Sequence, residues 1–130
     1  MDYNYPDRVY WGDTHLHTSH STDADLFDNM VGPQEAYRFA KGETVTSSTG
    51  VRTRLLRPLD SLVVSDHADN LGLSSMIVES NPELLKVEWG RKIHDLYKAG
   101  KLGQAYSMWG SMVTARKDPL ADNVGLMRSM

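Results

Sequence analysis

Val9-Tyr10-Trp11-Gly12-Asp13-Thr14-His15-Leu16-His17 is the stretch on which the fold assignment of this chain turns. Val9 to Trp11 favours extended backbone, because β-branched and aromatic side chains pack well on a pleated surface. The run then delivers two histidines separated by one residue. Alternate side chains of a strand share a face, so both imidazoles can aim at one point in space. Taken alone, that spacing fits two histidines in a solvated loop as well as a metal-binding pair. The neighbouring segments decide between them.

Working outward, Thr18 to Val31 is polar, rich in Ser and Asp, and reads as a loop. Gly32-Pro33 opens a helix, since Pro suits the first helical position, and Ala36, Tyr37 and Ala40 share one face of it up to Gly42. Glu43 to Thr46 and Val51 to Leu55 flank Ser47-Ser48-Thr49-Gly50, which predicts a β-hairpin. Leu62-Val63-Val64 is a short apolar run suited to a strand buried on both faces, and Asp66-His67 follow it. Asn81-Pro82 caps a helix in which Leu85, Trp89, Ile93 and Leu96 recur at helical spacing, as far as Ala99-Gly100. Leu102, Ala105, Tyr106, Trp109, Met112 and Val113 continue that period in a second helix, with Pro119 as its outer limit. Strand, helix, hairpin, strand and helices in this order predict an α/β fold with a βαβ unit and a parallel strand pair.

Composition narrows the chemistry. A chain of 130 residues, 40% hydrophobic and 24% charged, can bury a single core. A net charge of -3 without a basic stripe argues against a nucleic-acid partner. The absence of cysteine excludes disulfides, thiolate catalysis and zinc ribbons, so any metal must be held by His and carboxylates. No segment reaches the roughly 20 apolar residues of a membrane helix, so no membrane partner is expected. A cytoplasmic location is the expectation, with the periplasm left open.

In parallel α/β architectures ligands gather at the carboxyl ends of the strands. His15, His17 and His67 stand at such ends, and Asp23 lies on the intervening loop. Together they form a nitrogen and oxygen donor set suited to Zn, Mn or Fe rather than Ca or Mg. His20, on the same loop, could replace Asp23, contact a substrate or simply be solvated. His94 reads as an ordinary helix-face residue, and Glu79, Glu83 and Glu88 as first-turn and surface charges. Trp89, Tyr97, Tyr106 and Trp109 read as packing stripes, and Met108, Met112, Met127 and Met130 as adaptable packing.

The pattern His15-Leu16-His17-Thr18-Ser19-His20-Ser21-Thr22-Asp23-Ala24, with a hydrophobic strand running into Ser65-Asp66-His67, resembles the first two motifs of the PHP (polymerase and histidinol phosphatase) superfamily. Tyr10 to Asp13, Glu35 to Glu43 and Arg57 to Asp60 are similar to one large, uncharacterised PHP-like family. The resemblance is close over about residues 9 to 72 and looser over the helical tail. It implies an irregular, seven-stranded, TIM-like (β/α)7 barrel in which two or three metal ions activate water against phosphate esters. On that basis the chain is a single domain forming the N-terminal portion of such a barrel, with a hairpin insertion. Residues 1–72 would carry the metal motifs and residues 73–130 the helical part.

By the same resemblance His15 and His17 match the histidines of the first metal, and Asp23 and His67 match positions that hold another ion. Asp13 and Asp66 match flanking positions that orient ligating imidazoles. PHP sites also use a bridging Glu, further histidines and a late Asp-x-His, whereas His94 is the one histidine after His67. The chain is therefore expected to be a fragment of a longer barrel, with little phosphoesterase turnover by itself. The function implied is a metal-dependent hydrolase, a phosphoesterase acting on a small-molecule phosphate ester. The alternative class is a non-catalytic metal-binding or interaction module that self-associates through exposed barrel edges.

Overall fold

A computed structural model describes residues 6–121; Met127 and Met130, predicted to pack, lie outside them. The chain runs through strand β1 (Gly12–Leu16), a short helical turn α1 (Thr22–Asp25) and helix α2 (Pro33–Ala40). Hairpin strands β2 (Val45–Thr46) and β3 (Arg52–Thr53) and strand β4 (Ser61–Val64) follow. β1 and β4 pair in parallel, with Gly12 opposite Ser61, Asp13 opposite Leu62 and Leu16 opposite Val64. This is the predicted α/β arrangement of a strand, a crossover helix and a parallel strand. Among the described residues the sheet has two strands and no barrel closes. Gly12 is required where the strands meet: a Cβ there would lie 2.0 Å from the Ser61 hydroxyl oxygen.

Pro33 begins α2 as expected, and Ala36 and Ala40 turn inward. Tyr37, assigned to the same face, is exposed instead, since it lies about 100° round the helix from the inward Ala36. Gly42, at φ 81°, ends the helix: its N–H donates to the Phe39 carbonyl and the Glu43 N–H to the Arg38 carbonyl. That left-handed glycine satisfies carbonyls that would otherwise be orphaned. β2 and β3 pair antiparallel around Ser47 to Gly50, so the hairpin is present, though with shorter strands than predicted.

Two expectations are corrected here. The segment Leu62-Val63-Val64 is not buried on both faces: Val63 is 49% exposed, because no layer covers that side of a two-stranded sheet. The segment Thr18 to Val31 is not all loop, since α1 forms within it.

The second half is helical, with α3 (Leu73–Val78), α4 (Pro82–Lys86), α5 (Glu88–Lys98) and α6 (Leu102–Ala115). Asn81 caps α4 by accepting from the Glu83 N–H at 2.9 Å. The single helix expected from Pro82 to Ala99 is broken at Val87, which is extended at φ -85° and ψ 130°. The bend turns Leu84 inward, where it joins Gly90 and Ile93, while Leu85 is only half-buried. Arg91 donates to the Leu85 and Lys86 carbonyls, which the break leaves without helical partners.

Leu73, Met76, Ile77, Leu84, Ile93, Ala105, Trp109, Met112 and Leu120 form the core, together with Leu26 from the segment just after α1. Leu26 thereby pins the loop that follows β1 onto the helical half. No helix among the described residues is long and apolar enough to cross a membrane.

Candidate metal centre

His17 directly follows β1, and His67 lies three residues beyond β4. Because the strands are parallel and Leu16 pairs with Val64, both histidines leave the sheet at the same end. The Ser65 N–H donates to the Leu16 carbonyl and prolongs the pairing toward the site.

Three buried hydroxyls then join the loop after β1 to the loop after β4. Thr18 donates its hydroxyl to Asp66 Oδ2 at 2.7 Å and its N–H to Asp66 Oδ1. Ser21 Oγ accepts the His67 N–H at 3.0 Å. Thr22 donates to the Asn70 carbonyl at 3.0 Å. All three side chains are shielded from water, so each bond substitutes for hydration the hydroxyl has lost.

This stitching brings Asp23 between two imidazoles. Asp23 Oδ2 lies 2.9 Å from His17 Nδ1 and 3.4 Å from His67 Nε2. The two rings meet edge to face, with centroids 4.8 Å apart. Burial pushes the Asp23 carboxyl upward, but hydrogen bonds from Ser21, His17 and the Ala24 N–H outweigh it and hold the group below its ordinary value. Its neighbour Asp25 goes the other way: burial raises it, the Ser74 hydroxyl opposes and the charge of Asp28 adds to the rise. His67 remains the most open of the cluster, its side chain 39% exposed, so the site is reached from that side.

His17, Asp23 and His67 thus converge, as expected from their places at the strand ends. Their candidate ligand atoms all lie within 4.8 Å of one another. Tetrahedral bonds of about 2.0–2.1 Å place ligand atoms about 3.3 Å apart; the two separations that involve Asp23, 2.9 and 3.4 Å, approach this, and all three atoms lie within 4.8 Å. Imidazole nitrogens and a carboxylate are also donors that suit Zn, Mn or Fe. These three residues could hold such an ion.

His15 stands outside that trio. It is exposed, with its ring centroid 5.0 Å from that of His17. Asp13 accepts the His15 backbone N–H at 2.8 Å, and Asp66 grips Thr18, so both carboxylates hold backbone or loop rather than a histidine ring. His20 is exposed, and its backbone N–H donates to the Thr18 hydroxyl. His94 Nε2 lies 3.1 Å from the Ser80 hydroxyl, far along the chain from the cluster.

Two residues beside the cluster were not among the expected site residues. Ser21 lies inside the quoted motif, where its place between His17 and Asp23 was the available signal. Trp109, treated as packing, is 3% exposed and sets its ring edge-on against His67, with centroids 5.3 Å apart. Nothing local announces that contact, because it joins α6 to a loop 42 positions earlier.

Residues 4–125 match the sequence profile of a family described as a protein of unknown function, DUF3604. The chain belongs to the DUF3604 family. No curated protein and no solved structure matches this DUF3604 chain.

Proposed function

We propose that this DUF3604 chain contributes ligands to a metal-dependent hydrolase of the PHP type, a phosphoesterase acting on small-molecule phosphate esters. The observation that carries the reading is the convergence of His17, Asp23 and His67 from the ends of two parallel strands. On this reading β1, α2 and β4 are the first βαβ unit of a TIM-like barrel, whose strand ends form the site. His17 and His67 would each give a ring nitrogen to a Zn, Mn or Fe ion, Asp23 would give Oδ2, and His15 stands nearby as a further donor. When bound, such an ion supplies activated water at neutral pH and offsets charge on a phosphoryl group. Thr18 and Asp66 hold the two loops in register, and Trp109 packs against His67 and keeps water from one side of it. An apolar cavity lined by Leu16, His17, Val31 and Phe39 gives the organic part of a substrate a place to lie.

A second reading has its own support. The described residues hold one group of three candidate ligands and no second group that would bracket another ion. A single-ion binding or interaction module is what that count favours.

Purified protein, stripped with chelator and reloaded separately with Zn, Mn and Fe, should retain about one ion per chain after desalting, given this single donor set. Phosphate mono- and diesters are then assayed with this chain and with any longer natural form. Retention of no ion removes both readings. Retention without turnover in either form leaves the binding module.

A further inference from the structure

Ser21 has the position of a helix N-cap but does not act as one. It directly precedes α1, where a serine hydroxyl ordinarily accepts a backbone N–H of the first turn, yet its side chain makes no capping bond. The hydroxyl is fully buried and turned to the cluster instead. It donates to Asp23 Oδ1 at 2.6 Å, accepts the His67 N–H at 3.0 Å and lies 3.2 Å from His17 Nδ1. A hydroxyl has one proton and two lone pairs: Asp23 takes the proton, the His67 N–H takes one lone pair, and His17 Nδ1 lies beside the other.

The consequence falls on Asp23. Its Oδ1 accepts from Ser21 and also from the Ala24 N–H at 2.7 Å, and it lies 3.0 Å from His17 Nδ1. The oxygen within reach of both imidazoles is Oδ2. We propose that Ser21 is a positioning residue of the metal centre. Its hydroxyl occupies Oδ1, so that Asp23 presents Oδ2 as a single-oxygen ligand, and it ties the His67 backbone to the loop that carries His17. The three donors are then assembled before any ion arrives, which removes an ordering cost from binding. This inference rests on the metal reading given above.

The test uses the full chain and Zn alone, with titrations of wild type, Ser21→Ala, Ser21→Thr and Ser21→Val. Loss of a group that orients a ligand characteristically weakens metal affinity by roughly 10–100-fold. Ser21→Ala should fall in that range. Thr and Val have the same shape and crowd the site equally, so their comparison isolates the hydroxyl even if Ser21→Ala folds poorly. Ser21→Thr should bind about tenfold or more tightly than Ser21→Val. Thr22→Val serves as the structural control, since Thr22 joins the same two loops without touching a candidate ligand. It should lower the unfolding midpoint and leave the Zn affinity within about threefold of wild type, a change well below the orienting range. Equal binding by the Thr and Val variants overturns the proposal, as does an equal loss of affinity in Thr22→Val. If wild type itself takes up no Zn, the metal reading falls and takes this inference with it. If wild type binds and Ser21→Ala binds equally well, the Ser21 inference alone is lost.

Discussion

Asp23 and Asp25 are two positions apart and titrate in opposite directions, which makes them the sharpest residue-scale test of the site. The Asp23 carboxyl is depressed, so its contribution to stability is present above the ordinary carboxylate range and disappears as pH falls through its folded value. Asp23→Asn should therefore lower the melting temperature at pH 7, with the difference starting to shrink only as pH falls below the ordinary carboxylate value of about 4. Asp25 is raised, so folding favours its neutral form, and its contribution is fully present at low pH and lost as pH rises. Asp25→Asn should raise the melting temperature at pH 7 by a few degrees and change little in acid. Thermal melts of the two variants from pH 3 to 8, roughly the span from carboxylate to imidazole titration and beyond, check both signs. The same sign for the two variants would refute the described environments. The histidines make a parallel prediction. His17→Ala and His67→Ala should each remove most Zn retention, His15→Ala should weaken it less, and His94→Ala should leave it unchanged. Elemental analysis of the four variants decides the ranking, which follows from the convergence of His17 and His67 on Asp23, the exposure of His15 and the distant contacts of His94.

At the scale of elements, the break between α4 and α5 carries the most information. A continuous apolar period from Leu85 to Leu96 is what one unbroken helix would show, and nothing in that period marks Val87 as extended. The structural signature is Gly90: a Cβ there would lie 2.2 Å from the Leu84 carbonyl oxygen. Gly90→Ala, a favourable exchange in an ordinary helix, should instead cost about 1–3 kcal/mol, the range for overpacking. Ile93 is fully buried one turn on, and Ile93→Ala should cost about 2–5 kcal/mol. Denaturant midpoints measure both, and a stabilised Gly90→Ala would mean that the helix is continuous after all. α2 and the hairpin were legible because their signals are local. Pro33, Gly42 and Gly50 each impose a backbone geometry that needs no distant partner.

The whole molecule divides its burial unevenly. Its core lies mainly among α3, α4, α5 and α6, joined by Leu26, and the histidine-bearing loops leave a two-stranded sheet whose outer edges carry no partner strand among the described residues. Val63 is half exposed on that sheet, and Trp11 is 59% exposed at its approach. Open parallel edges with apolar side chains invite pairing with another strand. Sedimentation of the purified chain should therefore show concentration-dependent association, and Val63→Lys should shift the distribution toward monomer. A single monomeric species for wild type across the concentration range would contradict this. At this scale the division between sequence and structure is plain. The sequence determined the βαβ order, the hairpin, the donor types and the two segments that bear them, because strand alternation, Pro and Gly geometry and imidazole chemistry act within a few residues. Tertiary structure alone decided that His15 stands apart from His17, Asp23 and His67, that Ser21 faces the cluster rather than capping α1, and that Trp109 lies against His67. Those outcomes depend on strand register and on packing between distant elements, and no window of neighbouring residues encodes either.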